Sequence, residues 1–325
     1  MTRRRVSLLV ALALAAALVA CGEDAELGER TEATLVLDFV PNAVHTGIYC
    51  ALAEGYYEDE NLELEVVEPT STSDTLKLID QGKAEIGLAD ALDVAQQNAA
   101  GLGGEAIMAV VQRPLGGVIA LADSGIRSPR DLEGRTVGIT GVPSDRAVLG
   151  AVLDGDGANA NELDEVTIGF NTVPALQAGR VDAITGYPAA DGTAIEHRGD
   201  EVRSFALDEW GGPSYPGLVA FSTREEIERD PELMQAFVDA TVDGYERTIE
   251  DPERCLDALV EQVPEIDPDL AAAQLDAYRP LFEGGGRFGE IGASSLTEMA
   301  AFMERAGLVR ERPSTQDLAT DEFVD

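Results

Sequence analysis

Asp38, Phe39, Asn42, His45 and Tyr49 crowd one short stretch, LDFVPNAVHTGIYC. A carboxylate, an amide, an imidazole and two rings together suit the capture of a small molecule. Rings offer flat apolar faces, and the polar groups fix orientation. Five further places have the same character. Ser73 sits in STSD, at the start of a helix whose free amides can meet a polar ligand group. Simple capping by Ser73 or Asp74 is the competing reading. Asp90 ends an apolar strand and either faces a ligand or caps the next helix. Gly141 lies in the glycine turn of Gly138 to Asp145, which lacks the spacing of a nucleotide loop. In GYPAADG, Tyr187 and Asp191 supply another ring and another carboxylate. Asp191 can also close a turn on its own backbone. Tyr215 closes the aromatic loop WGGPSY, assigned to the cleft edge with a hinge wedge as the alternative.

Covalent chemistry finds less support. The only histidines are His45 and His197, and no nucleophile elbow occurs. No CxxC or His/Cys cluster suggests zinc. No cofactor is expected.

These residues need a frame that brings them together. From Thr34 onward strand and helix patterns alternate: a strand Thr34 to Asp38, a helix from about His45 stopped by Gly55, a strand Leu62 to Val67, a helix Thr75 to Gln81. Short apolar strands follow at Ala84 to Leu88, Ala106 to Val111 and Val118 to Ala122. A second βα series begins near Ser124, with strands at Thr136 to Ile139, Val166 to Ile168 and Val181 to Thr185. Pro216 to Phe221 is the last strand-like run. The rest has helical spacing, with Asp230-Pro231, Asp251-Pro252 and Asp267-Pro268 marking helix starts. Repeated βαβ units with a restart near Ala122 predict two α/β lobes with a cleft between them.

The N-terminus reads as a processing segment. Arg3 to Arg5 precede the apolar run Val6 to Ala20, too short to span a bilayer, and Leu18-Val19-Ala20-Cys21 matches a bacterial lipobox. Cys21 is therefore the expected lipidation site and membrane anchor. Residues 1–20 are assigned to the signal peptide and 21–32 to a flexible tether. Residues 33–118 are assigned to lobe one, 119–218 to lobe two, and 219–325 to a helical segment returning to lobe one. The net charge of −38 repels nucleic acid and speaks against anionic ligands. Cys50 and Cys255 remain; an extracytoplasmic setting permits a disulfide, and a buried free thiol at Cys50 is equally consistent.

The run DFVPNAVHTGIYCALAEGYYEDENLELE resembles the opening of the NMT1/THI5-like family. The shared features are Phe39, Pro41, Asn42, His45, Gly47 to Tyr49 and Gly55 to Tyr57, and the likeness extends to about Glu228. The resemblance implies the type II periplasmic-binding-protein fold and a solute-binding lipoprotein of an ABC importer, acting as a monomer with its permease. It further implies a planar nitrogen heterocycle as ligand, of the thiamin pyrimidine precursor type. GYPAADG resembles the aromatic-Trp-Asn-Ala-Glu-Gly run of many relatives, with Asp191 in place of the Glu; there the carboxylate would meet an aminopyrimidine. Sulfonate-, nitrate-, taurine- or riboflavin-type binding proteins are the alternatives. A pyrimidine synthase using His45 is the third. Against it, the eukaryotic synthases' iron-binding cysteine run is absent, and their lysine before Gly-Tyr-Phe is Glu54 here.

Overall fold

The first strand, β1 (Thr31–Val36), buries Ala33, Leu35 and Val36 and leaves Thr31 and Glu32 exposed. The computed structural model describes residues 30–71, 73–283 and 286–324. The expected signal peptide, the lipidation site Cys21 and most of the tether lie outside the described residues. The sequence places Thr31 and Glu32 in the tether and Asp38 within the strand. Instead the strand starts at Thr31 and stops at Val36, so Asp38 sits in the loop beyond it.

Among the described residues nine strands follow: β2 (Leu62–Val67), β3 (Ile86–Asp90), β4 (Gly104–Val111), β5 (Gly117–Leu121), β6 (Thr136–Ile139), β7 (Asp164–Thr167), β8 (Ala183–Gly186), β9 (Val202–Ala206) and β10 (Leu218–Thr223). They form two five-stranded sheets, ordered β2-β1-β3-β10-β4 and β7-β6-β8-β5-β9. β1 runs parallel to β3, and β6 parallel to both β7 and β8. The chain passes from the first sheet to the second after β4 and returns before β10. β10 inserts antiparallel between β3 and β4. Each sheet anchors one lobe. Central β3 and edge β4 are mostly apolar, as both faces are covered: every residue of each is buried, Asp90 and Glu105 included. β9 is absent from the sequence expectations, because only Phe205 of VRSFA is buried and the alternation is faint.

Three helical contacts hold the cleft loops in place. The helix Thr46–Glu54 lies closely along Pro231–Glu250 because two glycines face each other there. A Cβ on Gly244 would stand 2.2 Å from the Gly47 carbonyl oxygen, and one on Gly47 would stand 2.3 Å from the Tyr245 ring. Tyr245 then donates its hydroxyl hydrogen to the Val44 carbonyl at 2.7 Å, pinning the loop that carries Asn42 and His45. Cys50 is disulfide-bonded to Cys255, with Cα atoms 4.8 Å apart, which ties Thr46–Glu54 to Pro252–Gln262. The free-thiol alternative is thereby excluded. Finally, the helix Pro268–Phe282 touches the Ala43–His45 turn of lobe one and both Pro188–Gly192 and Thr193–His197 of lobe two. Gln274 donates to the Ala190 carbonyl at 3.0 Å. The C-terminal helices therefore reach across to lobe two, not only back to lobe one. Among the described residues, no helix is long and apolar enough to cross a membrane.

Candidate ligand-binding site

The loops that follow the strands of both sheets converge on one cavity. Asp38 lies just past β1, and Asp90 is the last residue of β3. Because β1 and β3 are paired with Val36 opposite Gly87, these two carboxylates end adjacent strands on the same side. From lobe two, Thr140 follows β6, Phe170 follows β7, and Tyr187 follows β8. This is where open α/β sheets bind ligands, since the diverging loops leave a crevice there. The cavity has a volume of about 100 Å³.

Its aromatic walls come from both sides. Phe39 and Phe170 meet edge to face, with centroids 4.5 Å apart and planes at 76°. Tyr187 adds a third ring. Burial and the neighbouring Asp90 and Asp38 charges push the Tyr187 phenol well above its ordinary range, so it stays protonated.

Five carboxylates line the cavity: Asp38, Asp90, Asp93, Asp145 and Asp191. Each is held differently. His45, wholly buried, receives the Asn42 N–H on Nδ1 at 3.1 Å. That nitrogen therefore carries no hydrogen, and Nε2 donates to Asp38 Oδ1 at 2.9 Å. Asp90 accepts the Leu92 N–H through Oδ1 at 2.8 Å, which caps the helix Ala91–Ala99. Burial, then the Asp93 charge, raise the Asp90 carboxyl well above its ordinary value, and Asp38 adds to the effect.

Asp93 bonds across the cleft. Its two oxygens take the Ser144 N–H at 2.9 Å and the Ser144 hydroxyl at 2.8 Å. Burial nevertheless pushes the Asp93 carboxyl up to about 7. Asp145 accepts from Thr185 at 2.7 Å, Thr140 at 2.9 Å and the Gly141 N–H at 2.6 Å. Asp191 accepts from the Thr172 hydroxyl at 2.6 Å and the Tyr187 N–H at 2.9 Å. Burial raises both carboxyls, and these bonds offset part of the rise. Among the described residues, no lysine, arginine or histidine lines the cavity.

Of the residues singled out in the sequence, Asp38, Phe39, Asn42, Asp90, Tyr187 and Asp191 line this space. Five do not. His45 turns into the core to hold Asp38. Tyr49 is buried and lies outside the cavity lining, its phenol pushed up to about 12 by burial and Glu68. Ser73 accepts a bond from Lys77 at 2.6 Å on the surface and makes no capping bond, because Asp74 gathers the Thr70 and Ser71 hydroxyls. Gly141 supplies a positive φ of 101° and an N–H for Asp145 rather than a wall. Tyr215 is fully buried outside the cavity lining, its hydroxyl without a hydrogen-bond partner among the described residues, while Trp210 packs on Phe205. The WGGPSY loop is thus a packing element, not a cleft edge.

Asp93, Ser144, Asp145, Phe170, Thr172 and Thr185 also line the cavity, and the sequence reading did not single them out as site residues. Asp93 carried a usable signal: it lies three residues after Asp90, on the same face of a helix start. Phe170, in a loop after a weak exposed strand, carried none.

A family model described as NMT1/THI5 like matches residues 42–255. A formylaminopyrimidine-binding protein of Halalkalibacterium halodurans is 30% identical over 306 residues, 92% of each chain. A 4-amino-5-hydroxymethyl-2-methylpyrimidine phosphate synthase of Legionella pneumophila is 26% identical, over 78% of this chain and 80% of its own. Among solved structures, the alkanesulfonate-binding protein of Xanthomonas axonopodis pv. citri bound to MOPS superposes with a TM-score of 0.72 at 16% identity. It covers 90% of this chain and 99% of its own. A likeness at that identity speaks to architecture alone: two α/β lobes in the type II periplasmic-binding-protein fold.

Proposed function

The chain belongs to the NMT1/THI5-like family, and on that premise we propose that it is a solute-binding protein for a 4-aminopyrimidine of the thiamin precursor class. It captures the heterocycle outside the cytoplasm and hands it to the permease of an ABC importer. Cys21 anchors it to the membrane through lipid. One observation carries the reading: three rings and five carboxylates, with no basic side chain among the described lining residues, share a cavity between two lobes. Flat rings want aromatic walls, and amine donors want carboxylates. The name of the Halalkalibacterium halodurans relative points the same way.

An anionic sulfonate suits this cavity poorly, since burying it beside unpaired carboxylates adds like-charge repulsion to desolvation. A synthase reading has named relatives in its favour. It needs a reactive His45, and here that ring is wholly buried with both nitrogens engaged. Binding without covalent change fits that environment better.

Calorimetry on the purified protein tests the proposal, with 4-amino-5-hydroxymethyl-2-methylpyrimidine, formylaminopyrimidine, thiamin, riboflavin and taurine as probes. The expected result is tight binding of an aminopyrimidine and none of taurine. Binding of taurine with no heterocycle bound would overturn it.

A further inference from the structure

The five carboxylates of the cavity are not equally available. Asp93, Asp145 and Asp191 each have both oxygens occupied by donors of the protein. Asp38 and Asp90 each use only Oδ1, toward His45 and the Leu92 N–H. Their Oδ2 atoms have no hydrogen-bond partner among the described residues, and both side chains line the cavity. The hydroxyls around them are committed as well. Thr140 and Thr185 donate to Asp145, Thr172 to Asp191, and Ser144 to Asp93. The Tyr187 hydroxyl lines the same space, close enough to Asp38 and Asp90 to feel both charges.

We propose that Asp38 and Asp90 act as a pair that reads the amine of the heterocycle, with the Tyr187 hydroxyl meeting the ring nitrogen beside it. This rests on the aminopyrimidine reading above and narrows it. An exocyclic amine carries two N–H donors, one for each free oxygen, and their approach favours the charged form of Asp90 against the burial that raises its carboxyl. The adjacent ring nitrogen is an acceptor and takes the phenol hydrogen. A 4-oxo ring inverts that pattern: its carbonyl faces two carboxylates and its ring N–H faces a donor. The assignment also moves recognition away from lobe two. Asp191 holds the 187–191 turn through Thr172 and Tyr187, with a donor of the protein already on each of its oxygens. His45 is the positioning residue for Asp38.

The test crosses protein variants with two ligands: 4-amino-5-hydroxymethyl-2-methylpyrimidine and its 4-oxo counterpart. The quantity read is the ratio of their dissociation constants, which cancels general damage to the cleft. Wild type should prefer the amine by at least about 100-fold, since unmatched buried polar groups discriminate strongly. Asp38→Asn and Asp90→Asn should each reduce that preference by about tenfold or more. Asparagine keeps the carbonyl oxygen that His45 or the Leu92 N–H needs, so the local folds survive. Asp90→Ser also keeps the cap and removes the free oxygen, so it carries the same expectation if the amide variant fails to fold. Asp191→Asn should keep the preference to within about threefold even where both affinities fall. A preference lost in Asp191→Asn alone, or in only one of the Asp38 and Asp90 variants, overturns the pair. So does a wild type that binds both rings equally. A wild type that binds neither pyrimidine refutes the functional reading itself, and the pair with it.

Discussion

On the lobe-one side of the cavity, Asp38 and Asp90 each bond the protein through a single oxygen; on the lobe-two side, Asp145 and Asp191 use both. The residue type is the same and the burial is similar, so the difference lies in the loops. Lobe two surrounds its carboxylates with Thr140, Thr172, Thr185 and two backbone amides. Lobe one offers one histidine and one helix amide. A carboxylate with both oxygens engaged by the protein holds its loops to each other. One with an acceptor left over has something to offer a guest. On the proposed reading, lobe one recognises and lobe two forms a rigid cover. Asp93 bridges the two by bonding Ser144 across the gap.

The largest effect should come from a site that serves neither face of the cleft. Replacing both Cys50 and Cys255 by alanine removes the tie between Thr46–Glu54 and Pro252–Gln262. The unfolding free energy in urea should fall by about 3 kcal/mol, while aminopyrimidine affinity stays within about twofold. This sets a baseline for stability lost without recognition lost. A tenfold loss of affinity would mean that the scaffold and the reading surface are not separable.

Next in size is the contrast between the lobes. Asp145→Ala strands the Gly141 N–H and the almost wholly buried Thr185 hydroxyl, and should cost about 1–3 kcal/mol of stability. Asp38→Asn should change stability by less than about 1 kcal/mol, because the amide oxygen still accepts from His45. Equal losses in the two variants would erase the distinction drawn above.

A smaller effect lies in the pH dependence of stability. Asp93 has an ordinary value of 3.8 and is raised to about 7 in the folded protein by burial. The folded state therefore holds a proton that the unfolded state releases between those values. Its contribution is complete below about pH 4, is lost as the pH rises through about 7, and is flat beyond. The melting temperature should be higher at pH 5 than at pH 8. Repulsion among the many surface carboxylates acts in the same sense, so the informative quantity is the change caused by Asp93→Asn. That variant keeps an acceptor for the Ser144 N–H and should narrow the difference between pH 5 and pH 8 by several degrees. An unchanged difference would assign the slope to the surface.

How much of this could be read from the chain follows from how local each signal is. The βα alternation and the proline-marked helix starts at Pro231, Pro252 and Pro268 are local, and the lobes follow from them. Asp38, Phe39, Asn42, Asp90, Tyr187 and Asp191 were legible because each stands at or just past the end of an apolar strand. The direction of a side chain was not. His45 and Tyr49 lie in the same stretch as Asp38, yet packing against Tyr245 and its helix turns that segment inward. Phe170 and the Cys50–Cys255 bond depend on partners distant in sequence, and no pattern along the chain announces them.

The smallest predicted effect concerns an aromatic contact that crosses the cleft. Phe39 belongs to the recognising lobe, and Phe170 to the cover, and they meet edge to face at 4.5 Å. Phe170→Ala removes the cover's half of that contact while leaving Phe39 and the lobe-one carboxylates in place. An edge contact of this kind contributes about 0.5–1.5 kcal/mol, so affinity for the aminopyrimidine should fall by roughly two- to twelvefold. If lobe two only closes over a ligand already held by lobe one, the loss belongs almost wholly to a faster dissociation rate, measurable by stopped-flow fluorescence or ligand displacement. Phe39→Ala should weaken binding more, because it removes both the contact and a ring face on the recognising side. The reverse order, with Phe170 the costlier ring, would place the principal stacking surface on lobe two and dissolve the asymmetry between the halves.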